Sequence, residues 1–130
     1  MKVLMIHGAT VFDNIGGSEI QLDHIAQYLM WDGHQVIFYT MNLGREQQPV
    51  ECISGYKIYR NNAIGPSPLM PYKHQKIILK IIEEEKPDIM YARCLRTTYI
   101  ANMVSKKTGL PFVYQLPFAF SHDIFSFKSM

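Results

Sequence analysis

The N-terminal sequence KVLMIHGATVFDNIGGSEIQLDHIAQYLMWDGHQVIFYT, residues 2–40, contains two short apolar runs on either side of a longer segment. The first run, at 2–7, is continuous and ends at Gly8, which is the pattern of a strand buried on both faces. The second run, at 35–40, consists largely of β-branched and aromatic residues. The two runs predict two strands of a parallel sheet.

The segment between these runs has the period of an amphipathic helix. Its apolar residues at helical spacing are Leu22, Ile25, Ala26 and Leu29. Ser18 and Gln21 match an S-x-x-Q capping box, which predicts that the helix begins there, and Gly33 predicts its end. Residues 2–40 are therefore predicted to form a βαβ unit.

The rest of the chain continues this alternation. Loops are predicted at 41–55 and at 61–71, where three prolines and a glycine oppose regular structure. The remaining predicted elements are a strand at 56–60, a helix at 72–85, a strand at 88–92, a helix at 95–107 and a strand at 112–115. The pattern predicts an α/β fold, a single Rossmann-like domain with a doubly wound parallel sheet in the order 3-2-1-4-5. Ligands bind such sheets at the carboxyl ends of the strands.

Composition narrows the functional class. The 130 residues are 48% hydrophobic and 18% charged, with a net charge of +2, which is typical of a globular protein and too weakly basic for a nucleic-acid-binding protein. Cys52 and Cys94 match neither a zinc motif nor a disulfide framework and are read as reduced cytosolic thiols. No apolar run reaches the roughly 18 residues of a membrane span. The phenylalanines at 118–127 suggest that the polypeptide continues past Met130.

The strongest local signal for chemistry is Gly16-Gly17-Ser18-Glu19, between the first strand and the first helix. Glycines let the backbone approach a ligand closely, and a helix N-terminus attracts anions, so this loop could hold a phosphate. An ordinary glycine turn is an equally weighted alternative. The loop matches neither G-x-G-x-x-G nor the P-loop pattern, which disfavours dehydrogenases and P-loop enzymes.

Four further stretches complete a longer pattern: GHQV at 33–36, GYKIYR at 55–60, KPDIMYAR at 86–93 and KTGLPFV at 107–113. With the Gly16-Gly17 loop, their order and spacing over residues 2–115 resemble the N-terminal, acceptor-side domain of family 4 retaining glycosyltransferases of the GT-B fold. The resemblance implies transfer of a sugar from a nucleotide-sugar donor to an acceptor, with retention and without a cofactor or metal. It also implies that most donor contacts belong to a C-terminal domain outside this chain, so that the chain alone is expected to be inactive.

The resemblance also implies roles for individual residues. Gly16 and Gly17 would lie beside the donor diphosphate, and His122 would face the transferred sugar as the catalytic residue, with a plain surface histidine as the alternative. Arg93 would contact an anionic acceptor or a phosphate, with a surface ion pair as its alternative. Glu19 is interpreted as a helix-start residue. The implied acceptor is a sugar, a lipid-linked sugar or a polysaccharide, and the implied location is cytoplasmic.

Two alternatives stay open at this stage. Residues 89–130 carry five basic side chains against one acidic, so peripheral contact with the inner membrane face competes with a merely solvated surface. A non-enzymatic, Rossmann-type nucleotide- or phosphate-binding module competes with the transferase. A receiver-type signalling domain is disfavoured, because the first strand ends in His7-Gly8 rather than in an acidic pair.

Overall fold

The computed structural model describes residues 1–12, 16–41, 48–61 and 69–115. The strands are β1 (Lys2–His7), β2 (Gln35–Thr40), β3 (Val50–Ile53), β4 (Tyr56–Arg60), β5 (Ile89–Ala92) and β6 (Phe112–Tyr114). The helices are α1 (Gly17–Trp31), α2 (Met70–Glu85) and α3 (Leu95–Thr108). In the described ranges, no helix is long and apolar enough to cross a membrane.

The strands form one sheet in the order β3-β4-β2-β1-β5-β6. The five strands predicted from the sequence are β1, β2, β4, β5 and β6, and their relative order is the predicted 3-2-1-4-5. The pairs β1–β2, β1–β5, β2–β4 and β5–β6 are all parallel. The Rossmann-like fold class is therefore confirmed, and the observed order differs by one added edge strand.

That added strand, β3, was predicted as loop. It pairs antiparallel with β4 through a tight turn in which Ser54 and Gly55 have φ of 52° and 91°. Positive φ at both turn residues suits the right-handed twist of a hairpin. Because β3 is a short edge strand that exposes alternate residues, it lacks the apolar run of the central strands. The sheet is therefore mixed rather than wholly parallel.

Helices cover both faces of the sheet, as expected for a doubly wound fold. On one face α1 packs with β1, β2 and β4 through Val3, Met5, Leu22, Ala26, Phe38 and Ile58. On the other face α2 and α3 pack through Leu4, Ile6, Ile37, Ile78, Ile100 and Val104. Burial of each such Leu or Ile stabilises the fold by about 1.5–3 kcal/mol. Strands buried on both sides explain the continuous apolar runs in the sequence.

The helix starts differ from the predictions. The prediction of a capping box at Ser18 is wrong. Gly16 is the N-cap of α1, and no side chain caps it. The Ser18 hydroxyl instead donates to the Glu19 carboxylate at 3.0 Å. Ser18 already lies inside the first turn, so it is not in the capping position. The second helix begins at Met70, two residues before the prediction, because Pro71 is tolerated in the first turn of a helix.

At the amino ends of the strands, Glu85 joins the last turn of α2 to β1 and β4. Its carboxylate lies 2.9 Å from Lys2 Nζ and 2.7 Å from Lys57 Nζ, and it accepts a hydrogen bond of 2.6 Å from the Tyr59 hydroxyl. Burial opposes ionisation of Glu85, but hydrogen bonds from Lys57, Tyr59 and Lys2 outweigh it and lower the pKa of the carboxyl to about 2. Glu85 therefore stays ionised and stabilises the helix on the sheet.

We predict that Glu85→Gln lowers the free energy of unfolding at neutral pH by about 1–3 kcal/mol, because two ammonium groups lose their partner. Since the folded pKa lies below the ordinary 4.5, the contribution is complete above pH 4.5 and is lost as the pH falls toward 2. Urea unfolding at several pH values measures this, with the exposed neighbour Glu83→Gln as the control. A deficit that is the same at both ends of the pH range would contradict the assignment.

Candidate functional site

The carboxyl ends of the parallel strands bring five polar side chains into one row. His7, Thr40 and Arg60 end β1, β2 and β4 and are paired in register, and Arg93 and Gln115 directly follow β5 and β6. Residues alternate between the faces of a sheet, so these five share the face that α1 covers. The row therefore lies at the carboxyl edge of the sheet, where the sequence predicts ligand binding.

The N-terminus of α1 lies above this row. The first hydrogen bond of the helix runs from the Ile20 amide to the Gly16 carbonyl, at 3.0 Å. The Gly17 and Ser18 amides precede this bond, and within the described ranges they have no partner. Unpaired amides at the positive end of a helix dipole attract negative oxygens.

Neither glycine of this turn is required by the backbone. Gly16 is extended, with φ of −134° and ψ of 166°, a conformation that any residue adopts. A Cβ atom built on Gly17 meets no heavy atom within 4 Å among the described residues outside its own turn of helix, and the φ of Gly17 is not positive. A positive φ is therefore not the reason for either glycine, and an ordinary glycine turn stays the alternative to a phosphate contact. With respect to the described residues, the missing side chain of Gly17 leaves open space beside the helix N-terminus.

Glu19 joins the first turn of α1 to the sheet. Its Oε1 lies 3.5 Å from His7 Nε2, and the two residues are only 9% and 7% exposed. Burial lowers the pKa of His7 below its ordinary 6.5, Glu19 partly offsets this, and the nearby Arg93 lowers the pKa further. His7 is therefore a neutral imidazole at pH 7. The interpretation of Glu19 as a helix-start residue is incomplete, because its carboxylate also orients His7.

Two buried polar atoms of the row lack a partner within the described part of the chain: His7 Nδ1 and Thr40 Oγ1. The two residues are directly paired in the register of β1 and β2. Unsatisfied polar atoms in a protein interior cost free energy and are rare. Their position beneath the unpaired amides of α1 marks this edge as a site for a polar ligand.

Arg93 reaches the same turn from the other side. It is half-buried, and its Nη1 donates to the Ser18 carbonyl at 3.4 Å. Among the described residues no carboxylate forms a salt bridge with Arg93, so the alternative of a surface ion pair is not seen there. A guanidinium without a carboxylate partner is suited to bind a phosphate or an anionic acceptor.

Sequence reasoning missed Arg60, the outermost member of the row. Its guanidinium is buried and lies 2.7 Å from the Glu51 carboxylate and 3.1 Å from the Gln48 carbonyl. Glu51 belongs to β3, which was predicted as loop, so no sequence signal indicated the pair. Arg60 thus has a carboxylate partner that balances its charge, whereas Arg93 has none among the described residues.

The remaining histidines of the sequence analysis lie away from this row or outside the described residues. His122, the predicted catalytic residue, lies outside the described residues. His34 and His74 make structural contacts, His34 with the N-terminal amine at 2.9 Å and His74 with the Tyr39 hydroxyl at 2.6 Å. In the described ranges no three His, Cys, Asp or Glu side chains are grouped as metal ligands.

We predict opposite effects of two substitutions on His7. Glu19→Gln removes the charge that favours the imidazolium and lowers the pKa of His7 further, whereas Arg93→Gln removes a repelling charge and raises it. NMR titration of the His7 ring protons measures both, with the exposed His24 as an internal reference. A pKa of His7 that is unchanged in both variants would show that the three side chains do not share one site.

Comparison with known proteins assigns the chain to a family. The family model described as Glycosyltransferase Family 4 matches residues 15–122, well over half of the chain. No curated protein matches the sequence with significance. Similarity to solved structures is the other finding of the comparison.

Three of these similar structures illustrate the fold. They are sucrose-phosphate synthase from Thermosynechococcus elongatus (11% identity, TM-score 0.69), the lipopolysaccharide outer core galactosyltransferase WaaB in its apo form (21%, 0.67) and MurG from Acinetobacter baumannii (17%, 0.66). The matches cover 87%, 94% and 89% of this chain, but only 32%, 35% and 35% of those proteins. The chain thus spans about a third of their length, and at these identities the likeness concerns the fold. From the family match over residues 15–122 and this shared fold, we conclude that the chain belongs to Glycosyltransferase Family 4.

Proposed function

We propose that this chain is the N-terminal, acceptor-side domain of a transferase that moves a sugar from a nucleotide-sugar to an acceptor with retention. The family match supports the reaction class, and the similar structures, about three times longer, support a second domain that supplies most donor contacts. Two proteins of similar fold are a lipopolysaccharide outer core galactosyltransferase and a UDP-GlcNAc 2-epimerase from Neisseria meningitidis bound to UDP-GlcNAc. A sugar transferase and a nucleotide-sugar-binding protein on this fold agree with a nucleotide-sugar donor.

The observation that carries this proposal is the open N-terminus of α1. Within the described residues the Gly17 and Ser18 amides are unpaired, and a Cβ atom on Gly17 would contact no side chain or backbone beyond its own turn of helix. In the proposed complex the donor diphosphate occupies this space and accepts hydrogen bonds from these amides, beside Gly16 and Gly17. Such close approach to the backbone requires residues without a side chain.

The chemistry follows from where charge develops. When the bond between the sugar C1 and the diphosphate oxygen breaks, negative charge grows on the leaving phosphate, while C1 bonds to the acceptor oxygen and the acceptor proton passes to the leaving group. Preorganised donors and a positive helix end stabilise that charge. Arg93, 3.4 Å from the Ser18 carbonyl, is placed to add its guanidinium or to hold an anionic acceptor. His122 is proposed to face the transferred sugar.

The acceptor is proposed to be a sugar, a lipid-linked sugar or a polysaccharide, and the location cytoplasmic. Contact with an anionic membrane has less support, because the four described basic side chains of this region do not form one patch. Arg93 and Arg96 lie at the start of α3, whereas Lys106 and Lys107 lie in its last turn, about 15 Å away along the helix.

We predict that the 130-residue chain alone does not turn over sugar nucleotides, because the donor half of the site is missing. Release of nucleoside diphosphate from a panel of sugar nucleotides is the measurement, with Gly16→Val as the background. Release above that background would show that one domain suffices and would contradict the proposed division of the site.

We predict that Gly17→Ala, in the two-domain enzyme, lowers kcat/KM for the donor by at least about ten-fold, on the order of 1.4 kcal/mol. The added methyl group would occupy the space proposed for the diphosphate, while the open surroundings leave stability within about 0.5 kcal/mol. Steady-state kinetics with a melting curve measure both quantities.

The matched control is Gly33→Ala. Gly33 ends the turn after α1 with φ of 88°, so alanine there destabilises the fold by about 1 kcal/mol or more, away from the helix N-terminus. Its donor KM should not change. If Gly17→Ala leaves donor KM and turnover within about two-fold of wild type, the Gly16-Gly17 turn has no donor role.

A further inference from the structure

The end of α1 opposite the candidate site carries an exposed aromatic pair. Tyr28 and Trp31 are 70% and 85% exposed, and their rings lie 6.4 Å apart with an angle of only 21° between the planes. They are three residues apart and therefore neighbours on one helix face. No described residue covers them.

Polar side chains surround the pair on both sides. One surface cleft, of about 430 Å³, is lined by His24, Gln27 and the two rings. The neighbouring cleft, of about 470 Å³, is lined by Leu29, Asp32 and the same rings. An imidazole, an amide and a carboxylate thus border an aromatic platform. The combination offers an apolar face for stacking with hydrogen-bonding groups at its edge.

Charge restricts the class of ligand. The described residues 16–32 include no Lys or Arg, whereas Asp23 and Asp32 are acidic and the last turn of α1 has no basic residue. Anionic lipid surfaces and nucleic acids bind through clusters of Lys and Arg. The charge along α1 around the aromatic pair therefore disfavours an anionic ligand.

We propose that Tyr28 and Trp31 form a second saccharide-binding site, separate from the carboxyl edge of the sheet. A pyranose in which the ring hydroxyls are equatorial presents an apolar C–H face, which would lie on the aromatic rings, while its hydroxyls bond to His24, Gln27 or Asp32. The helix of 15 residues spans about 22 Å, so the site would hold a remote part of a chain-like acceptor. The choice of a saccharide as occupant rests on the proposed function.

The test uses an internal probe, because Trp31 is the only tryptophan of the chain. Its fluorescence emission is followed during titration with the linear β-1,4-linked hexasaccharides of glucose and of N-acetylglucosamine. We expect a saturable change with a dissociation constant on the order of 1 mM or tighter for at least one of them. Tyr28→Ser should weaken this binding by at least about five-fold. Tyr99→Ser, at an exposed tyrosine of α3 outside the pair, should leave it unchanged.

Three results would overturn the proposal. One is the absence of any emission change up to about 10 mM of either hexasaccharide. A second is a blue shift with vesicles of phosphatidylcholine and phosphatidylglycerol but not with hexasaccharides, which would assign the pair to a membrane. The third is a shift that depends only on protein concentration, which would assign it to a second copy of the chain. The titration contains no nucleotide-sugar donor. Its result therefore does not depend on whether the Gly16-Gly17 turn binds a phosphate.

Discussion

The parallel pairing of β1 with both β2 and β5 sets the geometry of everything at the carboxyl edge. It brings His7, Thr40 and Arg93 to the same level, although they come from three separate parts of the sequence. The short connection from β1 then places the N-terminus of α1 above them, where Glu19 meets His7 at 3.5 Å and Arg93 reaches the Ser18 carbonyl at 3.4 Å. Two side-chain contacts thus hold the helix start in place, while the Gly17 and Ser18 amides have no partner among the residues that the structure describes.

The two edges of the sheet differ in how their polar groups are satisfied. At the amino edge, Glu85 is matched by Lys2, Lys57 and the Tyr59 hydroxyl, and the pKa of its carboxyl is correspondingly low. At the carboxyl edge, His7 Nδ1 and Thr40 Oγ1 lack partners among the described residues. A cluster that only stabilises the fold satisfies its polar groups internally, whereas a binding edge leaves groups for its ligand. This contrast is the physical reason to place the site at the carboxyl edge.

The sequence predicted the elements whose pattern depends on burial at both faces or along one helix stripe. The strands at 2–7 and 35–40 were predictable for this reason, and the position of Gly16 and Gly17 at a helix start followed from them. The order of five strands was predictable because strands alternate with helices and crossovers are right-handed. The edge strand β3 was missed because a hairpin strand with alternate residues exposed has no continuous apolar run. The contact between His7 and Glu19 was missed for a different reason: it depends on how α1 crosses the sheet, which local periodicity does not specify. The same holds for the Arg60–Glu51 pair, which requires β3.

The central claim is that the first turn of α1 is an anion site. The most direct measurement is an NMR titration of backbone amides with inorganic pyrophosphate, performed on the folded chain. The account predicts saturable shifts of the Gly17 and Ser18 amides, at millimolar pyrophosphate or below, that exceed those at the starts of α2 and α3. Equal shifts at all three helix starts, or none at Gly17 and Ser18, would contradict it.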